Sequence, residues 1–474
     1  MLTMNSLLER NWQVICHDSH YSSEDVTTMT KGCAGSVVRY FHDRPQEEQN
    51  KLFVFVIRNN FEGMISYFVA SVLKLKAWIV NVHDLGIVDM LVDADCIAAF
   101  VMSHEIRAIS TINHRINIAF DRCLSPANEN LADFTAYPYA HFYFCTSGTT
   151  STPKLIQYHE NALIENASAV SQYLGLSNED RSLCYFPVQY MYGLSTMLCA
   201  FLSDSKLVFE KFQISNIGEL VSHYSITNLP LIGDWMLPVS DIFTKSRIHV
   251  NNILNASDRL LTVQASSILS SCTTLWNNFG QTESGPRLFH NRIQSRRDIE
   301  ITSKYGVVAP GKVMTSDIKI DLRPVDPDAS DSVCRMFYKT PFACDGYVDS
   351  SLQLKPRDEW FDSGDLFVKD ESECYYWIAR AVNEFKHNGK FIPVQLISND
   401  IVKYAGCLRH YFSKAQNGDL YLNLDMSANS AQIKIITNIL NDKWYQYAFK
   451  VNIREIATTK TGKIKLPCRI RVMA

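Results

Sequence analysis

Several widespread functional signatures are absent from this chain of 474 residues. Its 13 cysteines include no C-x-x-C pair and its 13 histidines no H-E-x-x-H motif, so the usual zinc signatures are missing. No apolar run reaches the ~18 residues that span a bilayer, and the opening residues, which include Glu9 and Arg10, lack the apolar core of a secretory signal. We therefore expect a cytoplasmic protein without a membrane span, whose cysteines are reduced and mostly buried.

The chain also has no large excess of positive or negative charge. The formal net charge is −3, and the lysines and arginines are scattered along the chain. Short clusters such as Arg296 and Arg297 are too small for a nucleic-acid footprint, so no nucleic-acid partner is expected. Internal repeats and low-complexity tracts are also absent. With 46% hydrophobic residues, the composition is that of an ordinary globular protein with ample length for a large core.

Hydrophobic periodicity predicts an α/β fold. The first part of the chain alternates between the two patterns: strand 53–57, helix 59–76, strand 77–82, helix 84–92 and strand 96–102. The alternation resumes with helix 161–174, strand 183–186, helix 193–202, strand 206–209 and helix 217–224, which favours parallel sheets flanked by helices. Between 311 and 376, more frequent turn residues predict an antiparallel subdomain.

A loop rich in hydroxyl groups follows a short apolar strand at 142–145. It reads Thr146-Ser147-Gly148-Thr149-Thr150-Ser151-Thr152-Pro153-Lys154. Backbone amides in such a loop form an anion-binding nest, to which hydroxyls and a lysine add donors and charge. The loop lacks the second glycine of a Walker motif. Considered alone, a polar turn between two elements would be the favoured interpretation of this loop.

Four further segments follow this loop in a fixed order. They are N-N-F-G-Q-T-E at 277–283, W-F-D-S-G-D at 360–365, the group Arg380, Lys386 and Gly389, and T-K-T-G-K-I at 459–464. Each is a weak signal by itself, because short turns of this kind occur in many proteins. Their order and spacing along one chain are what make the set informative.

Together these segments resemble the adenylate-forming superfamily, which comprises acyl-CoA synthetases, nonribosomal-peptide adenylation domains and firefly luciferase. The family patterns and their counterparts are T-S-G-[ST]-T-G-x-P-K-G at 146–155, Y-G-x-T-E at 279–283, T-G-D at 363–365, G-R-x-D…K-x-x-G at 379–389 and N-G-K at 461–463. The resemblance extends from about residue 53 to 470. It implies a large N-terminal α/β domain with an antiparallel subdomain over 1–378, a hinge at 379–383 and a small, mobile α+β domain over 384–474.

The resemblance also implies roles for individual residues. The ATP phosphates would lie against Thr146, Ser147, Gly148, Thr149, Thr150 and Lys154. Glu283 would hold Mg²⁺, with Thr149 as a second ligand, and Thr282 would stand beside it in the catalytic turn. The nucleoside would contact Asn277, Phe279, Gly280, Asp365 and Arg380. Lys463 would stabilise the charge that develops during adenylation, and Lys386 and Gly389 would face an incoming thiol.

The carboxylate pocket implied by the resemblance includes Tyr190, Met191, Gly193, Asn255 and Ala256. Residues 187–195 contain no acidic side chain, which disfavours an α-amino acid as substrate. The aromatic residues there favour an apolar or aromatic acid, although ordinary core packing would explain them equally well. The acceptor is expected to be a thiol of coenzyme A or of carrier-protein phosphopantetheine. An amide-forming ligase and a catalytically silent nucleotide-binding homologue are the alternatives.

Some positions depart from the family pattern. Ser151 replaces a glycine of the phosphate loop, Leu155 follows the lysine, and Ala379 and Val382 occupy positions where glycine and aspartate or lysine are usual. A lost glycine restricts the backbone. None of these changes removes the acid, the metal ligand or the lysine, but they are compatible with a divergent or slowed member.

Overall fold

The computed structural model describes residues 2–41, 51–93, 97–101, 115–117, 137–146, 153–256, 259–304, 306–325, 333–381, 386–387, 390–392, 394–406, 409–415 and 418–456. The helices are α1 (Met4–Leu7), α2 (Ser23–Phe41), α3 (Asn60–Val72), α4 (Leu85–Leu91), α5 (Glu160–Leu174), α6 (Met191–Leu202), α7 (Ile217–Tyr224), α8 (Gly233–Ser246), α9 (Thr262–Ile268), α10 (Arg296–Ile301), α11 (Val394–Ala405) and α12 (Ser430–Lys443).

The strands of the N-terminal half are β1 (Gln13–Cys16), β2 (Ser19–Ser22), β3 (Leu52–Ile57), β4 (Lys76–Asn81), β5 (Ile97–Val101), β6 (Arg115–Asn117), β7 (His141–Thr146), β8 (Lys154–His159), β9 (Arg181–Leu183), β10 (Lys206–Phe209), β11 (Asn228–Leu231), β12 (Val250–Asn255) and β13 (Leu260–Leu261).

The remaining strands are β14 (Cys272–Gln281), β15 (Gly285–Ile293), β16 (Ser303–Lys304), β17 (Val307–Val308), β18 (Lys312–Val313), β19 (Lys319–Pro324), β20 (Cys334–Lys339), β21 (Gly346–Val348), β22 (Leu354–Pro356), β23 (Phe361–Lys369), β24 (Tyr375–Arg380), β25 (Lys386–His387), β26 (Lys390–Phe391), β27 (His410–Lys414), β28 (Leu420–Asp425) and β29 (Lys450–Arg454).

Two large mixed sheets form the framework of the fold, which confirms the predicted α/β class. One has the order β22-β21-β8-β7-β4-β3-β5-β6, and the other β18-β15-β14-β12-β11-β9-β10-β1-β2. The central strands of both sheets run parallel. All six side chains of β3 are buried, as expected for a parallel strand that is covered on both faces.

The predicted antiparallel subdomain is also present. Strands β19, β20, β23 and β24 form an antiparallel sheet in that order. Strands β21 and β22 do not join it, but extend the eight-stranded sheet beyond β8. This arrangement places β21 next to the strand that leaves the hydroxyl-rich loop.

The C-terminal part of the described chain has a small sheet of its own. Strands β27, β28 and β29 form it, and α11 and α12 pack on it through an apolar cluster that includes Ile397, Leu422 and Ile436. The side-chain oxygen of Asn399 accepts a hydrogen bond from the Thr262 hydroxyl at 2.7 Å, so α11 touches the start of α9. The domain bounds 1–378 and 384–474 and the hinge at 379–383 stay predictions, and residues 382–385 lie outside the described residues.

Element boundaries differ from the predictions in several places. The predicted helix 59–76 ends at Val72, the helix 84–92 spans Leu85–Leu91, and the strand expected at 183–186 lies at Arg181–Leu183. Strand β8 was not predicted at all. It lies between β7 and β21, so both of its edges are paired, and Gln157 is buried there through bonds to Tyr143 and Asp345. Within the described ranges, no helix is both long and apolar enough to cross a membrane.

Candidate active site

The hydroxyl-rich loop connects β7 to β8 as a hairpin. Thr146 and Lys154 are register partners at its base, so the loop begins and ends at one point on the sheet. Thr146 is buried and Lys154 is exposed, with its Nζ 4.9 Å from the centroid of the Tyr347 ring. Ser147, Gly148, Thr149 and Thr150 lie outside the described residues. The hairpin base therefore presents a lysine beside β21.

Glu283 lies in the turn between β14 and β15, next to this lysine. Its Oε1 accepts a hydrogen bond from the Tyr347 hydroxyl at 3.3 Å, and its backbone carbonyl accepts one from the Cys344 amide at 3.0 Å. Burial raises the pKa of the Glu283 carboxyl, while the charges of Arg380 and Lys154 act in the opposite direction. The structure thus brings together a carboxylate, a lysine and an arginine that lie at least 97 residues apart in the sequence.

The turn that carries Glu283 is fixed by a tyrosine that the sequence analysis missed. The Tyr158 hydroxyl donates to the Thr282 carbonyl at 2.6 Å and accepts from the Gly285 amide at 2.8 Å. Tyr158 is fully buried on β8. One side chain therefore ties the turn at 282–285 to the strand that follows the predicted phosphate loop.

Asp365 is the centre of a buried polar cluster. Its Oδ2 accepts from Gln281 Nε2 at 2.6 Å, and its Oδ1 accepts from Trp377 Nε1 at 2.9 Å. Arg380 Nε lies 3.2 Å from the same Oδ1. Asp365 is fully buried, whereas Arg380 is partly exposed. The carboxylate is held in place by two neutral donors and one cation, and neither Gln281 nor Trp377 was assigned to the site from sequence.

The other predicted nucleoside residues contribute differently. Asn277 Nδ2 donates to the carbonyls of Val308 and Ala309 at 2.9 and 3.0 Å, so its amide donor is engaged with β17 and the residue that follows it. Phe279 is half-buried and packs edge-on against Phe367, with ring centroids 5.2 Å apart. Gly280 sits at the irregularity of the β14–β15 ladder, where a Cβ would lie 2.3 Å from the Pro286 carbonyl oxygen.

The predicted carboxylate pocket lies at the start of α6 and the end of β12. Met191, Gly193, Asn255 and Ala256 are buried, and Tyr190 is half-buried. The Tyr190 hydroxyl donates a long hydrogen bond of 3.4 Å to Asp84. Burial, followed by the Asp84 charge, raises the pKa of Tyr190 to about 12.

Tyr192 joins the two segments of this pocket. Its hydroxyl donates to the Leu254 carbonyl at 2.7 Å, and its ring stacks on Phe186 at 4.7 Å. A Cβ on Gly193 would lie 2.4 Å from the Pro187 carbonyl oxygen. Helix α6 can therefore approach the preceding loop only with glycine at this position.

The remaining site predictions concern the end of the chain. Lys386 belongs to the short strand β25. Gly389 and Lys463 lie outside the described residues, so their predicted roles stay predictions. The same applies to Val382, whereas Ala379 is buried in β24 and Leu155 in β8.

Comparisons with known proteins match the chain to one group of enzymes. Residues 138–327 match the family described as AMP-binding enzyme. The 4-coumarate–CoA ligase of Pinus taeda is 24% identical over 284 residues, which cover 56% of this chain and 50% of that protein. The 4-coumarate–CoA ligase 1 of Petroselinum crispum is 24% identical over 290 residues, with the same coverage of 56% and 50%. The chain spans about half the length of the curated relatives it matches.

Solved structures share the fold over nearly the whole chain. The anthranilate CoA ligase in complex with anthranoyl-AMP has a TM-score of 0.78 at 16% identity, covering 98% of this chain and 96% of that one. The o-succinylbenzoate CoA synthetase from Bacillus subtilis in complex with ATP and magnesium ion has a TM-score of 0.74 at 13% identity, with coverage of 97% and 96%. At these identities the similarity shows the fold alone.

Proposed function

We propose that this chain, whose residues 138–327 match the AMP-binding enzyme family, activates a carboxylic acid with ATP and then transfers the acyl group to a thiol. In the first step a carboxylate oxygen attacks the α-phosphorus of ATP, the bond to the β-phosphate breaks, and pyrophosphate leaves. In the second step the thiol sulfur attacks the acyl carbon, its proton goes to solvent, and AMP leaves. Coenzyme A is the favoured thiol, since the curated relatives are named as CoA ligases.

The observation that carries this proposal is the convergence of charge on Glu283. Lys154 and Glu283 both contact Tyr347, and Arg380 belongs to the Asp365 cluster. The charges of Arg380 and Lys154 both act to lower the pKa of Glu283. A reaction between two anions requires positive charge and oriented donors at the point where they meet. The described site supplies both, in a turn held by Tyr158.

The residues present fit a magnesium ion bound together with ATP phosphates. Glu283 is a half-buried carboxylate with one long bond to Tyr347, and Mg²⁺ typically takes one or two carboxylates plus phosphate oxygens. The ion, when bound, would neutralise phosphate charge as pyrophosphate leaves. The chain's own part is to hold Glu283 in place and to bring the Lys154 ammonium beside the phosphates.

Nucleoside binding is assigned to the Asp365 cluster. The Asp365 carboxylate is oriented by Gln281 and Trp377, and Arg380 is partly exposed beside it. A buried, oriented carboxylate is suited to accept hydrogen bonds from ribose hydroxyls, and the half-buried Phe279 ring offers a surface for the base. Binding of ATP here would place its phosphates towards Glu283 and Lys154.

Among the classes of carboxylic acid, an apolar or aromatic acid fits the predicted carboxylate pocket best. Phe186, Tyr192 and Ala256 form one buried apolar cluster, and Tyr190 and Met191 begin the same helix. The relatives support this class, since they are named for 4-coumarate and anthranilate. A carrier-protein thiol and an amide-forming acceptor are the other outcomes that the second half-reaction allows.

ATP–pyrophosphate exchange tests the proposal directly. We expect exchange with one class of acid from a panel of aliphatic, aromatic and amino acids. Lys463→Ala should lower it by about a hundred- to a thousandfold, because removing one oriented donor to developing charge typically has that effect. Absence of exchange with every acid, while ATP still binds, would instead identify a silent nucleotide-binding homologue.

A further inference from the structure

Arg287 is a buried arginine that the proposed reaction does not use. It lies on β15, four residues after Glu283, and is only 2% exposed. Its backbone carbonyl accepts a hydrogen bond of 2.8 Å from Asn166 Nδ2, a buried side chain on α5. Strand β15 and helix α5 together fix the position of the Arg287 backbone.

The guanidinium group has little compensation within the protein. Its Nη1 donates a long bond of 3.4 Å to the neighbouring Pro286 carbonyl, and the Tyr173 side chain also hydrogen-bonds to the guanidinium. Its Nε donates to no acceptor, and no aspartate or glutamate lies within ion-pair distance of it, across the part of the chain that the structure describes. A buried charge without an anionic partner is costly, and such groups are normally paired.

The groups beside the guanidinium are neutral near pH 7. The ring of Tyr192 lies 4.9 Å from the guanidinium carbon, a cation–π contact. Tyr173 and Cys199 are also close to it; burial raises the pKa of Tyr173 to about 12 and that of Cys199 to about 11. Their neutrality leaves the positive charge of Arg287 without a counter-charge in this cluster.

Arg287 faces the predicted carboxylate pocket. Tyr192, which it contacts, lies between Met191 and Gly193 in sequence and is bonded to the Leu254 carbonyl, directly before Asn255. A cavity of about 20 Å³ adjoins the guanidinium and is lined also by Leu254 and Ser195. A space of this size holds roughly one water molecule, so an acid can place no more than a small terminal group there, and only if the lining side chains move apart.

We propose that Arg287 binds a second carboxylate, at the end of the acid that does not react, so that the substrate is a compact dicarboxylic acid. This inference rests on the proposed adenylation function. The planar guanidinium fork matches a carboxylate through two parallel hydrogen bonds. The second carboxylate would supply the counter-charge that the described protein groups around Arg287 do not.

Matched pairs of acids provide the test. ATP–pyrophosphate exchange is measured with succinate against butyrate, glutarate against valerate, and isophthalate against benzoate. We expect the wild type to prefer the diacid of at least one pair by about a hundredfold or more in kcat/KM, because a site built for a polar group rejects the analogue that lacks it. Arg287→Met should remove this preference, and Arg287→Lys should keep part of it.

Arg10→Met is the matched control. Arg10 is paired with Asp204 at 2.7 Å and does not line the cavity, so its replacement should leave the preference unchanged. Equal preference in the wild type and in Arg287→Met, or a wild-type preference for the monoacids, would overturn the inference. A melting temperature of Arg287→Met far below that of the wild type would also overturn it, since that is the mark of a structural arginine.

Equilibrium binding separates this inference from the proposed function. The same acids are titrated by calorimetry in the presence of a non-hydrolysable ATP analogue. If no acid supports exchange, the proposed function fails, yet binding of a diacid that is lost in Arg287→Met still supports the role of Arg287. Binding of no diacid to the wild type, or equal binding to the variant, contradicts that role whatever the exchange assay shows.

Discussion

Asp365 and Arg287 are both buried charged residues close to the same hairpin, but they differ in their partners. The Asp365 carboxylate is contacted by Gln281, Trp377 and Arg380. Among the described residues, the Arg287 guanidinium contacts the Pro286 carbonyl, the Tyr173 side chain and the Tyr192 ring, all of them neutral, and has no acid in ion-pair range. One charge is satisfied by the protein before any ligand binds, while the other is not.

The difference indicates how the two halves of the site are organised. A satisfied charge cluster is a preorganised surface that a nucleotide can meet without rearrangement of the protein. Where the charge is unsatisfied, the free energy of ligand binding instead depends on whether the ligand carries the opposite charge. We therefore expect substitutions around Asp365 to lower the stability of the protein, and substitutions around Arg287 to change which acid is accepted.

Removal of the Asp365 carboxylate gives the largest expected effect on stability. Asp365→Ala should lower the free energy of unfolding by about 3 kcal/mol, because the Gln281 and Trp377 donors lose their acceptor and each such loss typically costs about 1–3 kcal/mol. Urea denaturation measures this change. Asp321→Ala is the control, since Asp321 is an exposed ion-pair partner of Arg323 and should change stability by less than about 1 kcal/mol. Similar losses of unfolding free energy in the two variants would mean that the buried Asp365 contributes no more to stability than an exposed ion-pair residue.

Glu283 gives the next effect, on rate and on pH dependence. Glu283→Gln should lower ATP–pyrophosphate exchange by about a hundredfold, comparable to the loss of one electrostatic contact in a transition state. In metal-free protein the variant should melt above the wild type at neutral pH, because burial raises the pKa of Glu283 and so makes its ionised form unfavourable in the folded state.

The sign of the pH effect follows from the same shift. A carboxyl with a raised pKa stabilises the folded state below its unfolded pKa and loses that contribution as the pH rises through its folded pKa. The gap in melting temperature between Glu283→Gln and the wild type should therefore shrink as the pH falls towards 4.5 and below. A gap that widens on acidification would contradict the assigned shift.

Gly280 lies in β14, opposite the start of β15, the strand that carries Arg287. Gly280→Ala would place a methyl group 2.3 Å from the Pro286 carbonyl oxygen, and we expect a loss of about 2 kcal/mol, within the usual cost of overpacking. The matched control is Gly86→Ala in helix α4, where a Cβ meets nothing within 4 Å. That variant should be neutral or slightly more stable, and the melting temperatures of both variants give the comparison.

Tyr190→Phe is expected to have the smallest effect. The hydroxyl makes one long bond of 3.4 Å to Asp84, so its loss should change unfolding by less than about 0.5 kcal/mol, below the usual value of a hydrogen bond. Exchange with the preferred acid should remain within about twofold, less than one good hydrogen bond contributes. A large shift in acid preference would mean that Tyr190, and not Arg287 alone, selects the substrate.

Much of the fold and part of the site were predictable from local sequence. The strands at 53–57 and 206–209 and the helix at 217–224 are apolar or amphipathic runs, and the structure has them within a residue. The loop after β7 and the turn around Glu283 were found through the order and spacing of the motifs along the chain. Their proximity was implied by the family resemblance alone, because the loop belongs to the eight-stranded sheet and the turn to the nine-stranded one.

The residues that were missed depend on distant neighbours. Gln281 reaches Asp365 across 84 residues, and no local pattern indicates that pair. Strand β8 was overlooked because a buried Gln157 and Tyr158 do not produce a simple apolar run, and only their hydrogen-bond partners explain their burial. Arg287 is covered by α5 and α6, which pack on β15, and no local sequence pattern indicates that burial.

The hairpin formed by β14 and β15 carries Glu283 in its turn and Arg287 on its return strand. Tyr158 fixes the turn, and Asn166 fixes the strand at Arg287. Arg287, which would bind the second carboxylate of the substrate, can therefore be replaced without altering the backbone that holds Glu283. If the proposed function holds, this separation means that a single codon would change the acid accepted without altering the turn that carries Glu283, both in protein engineering and in divergence after gene duplication.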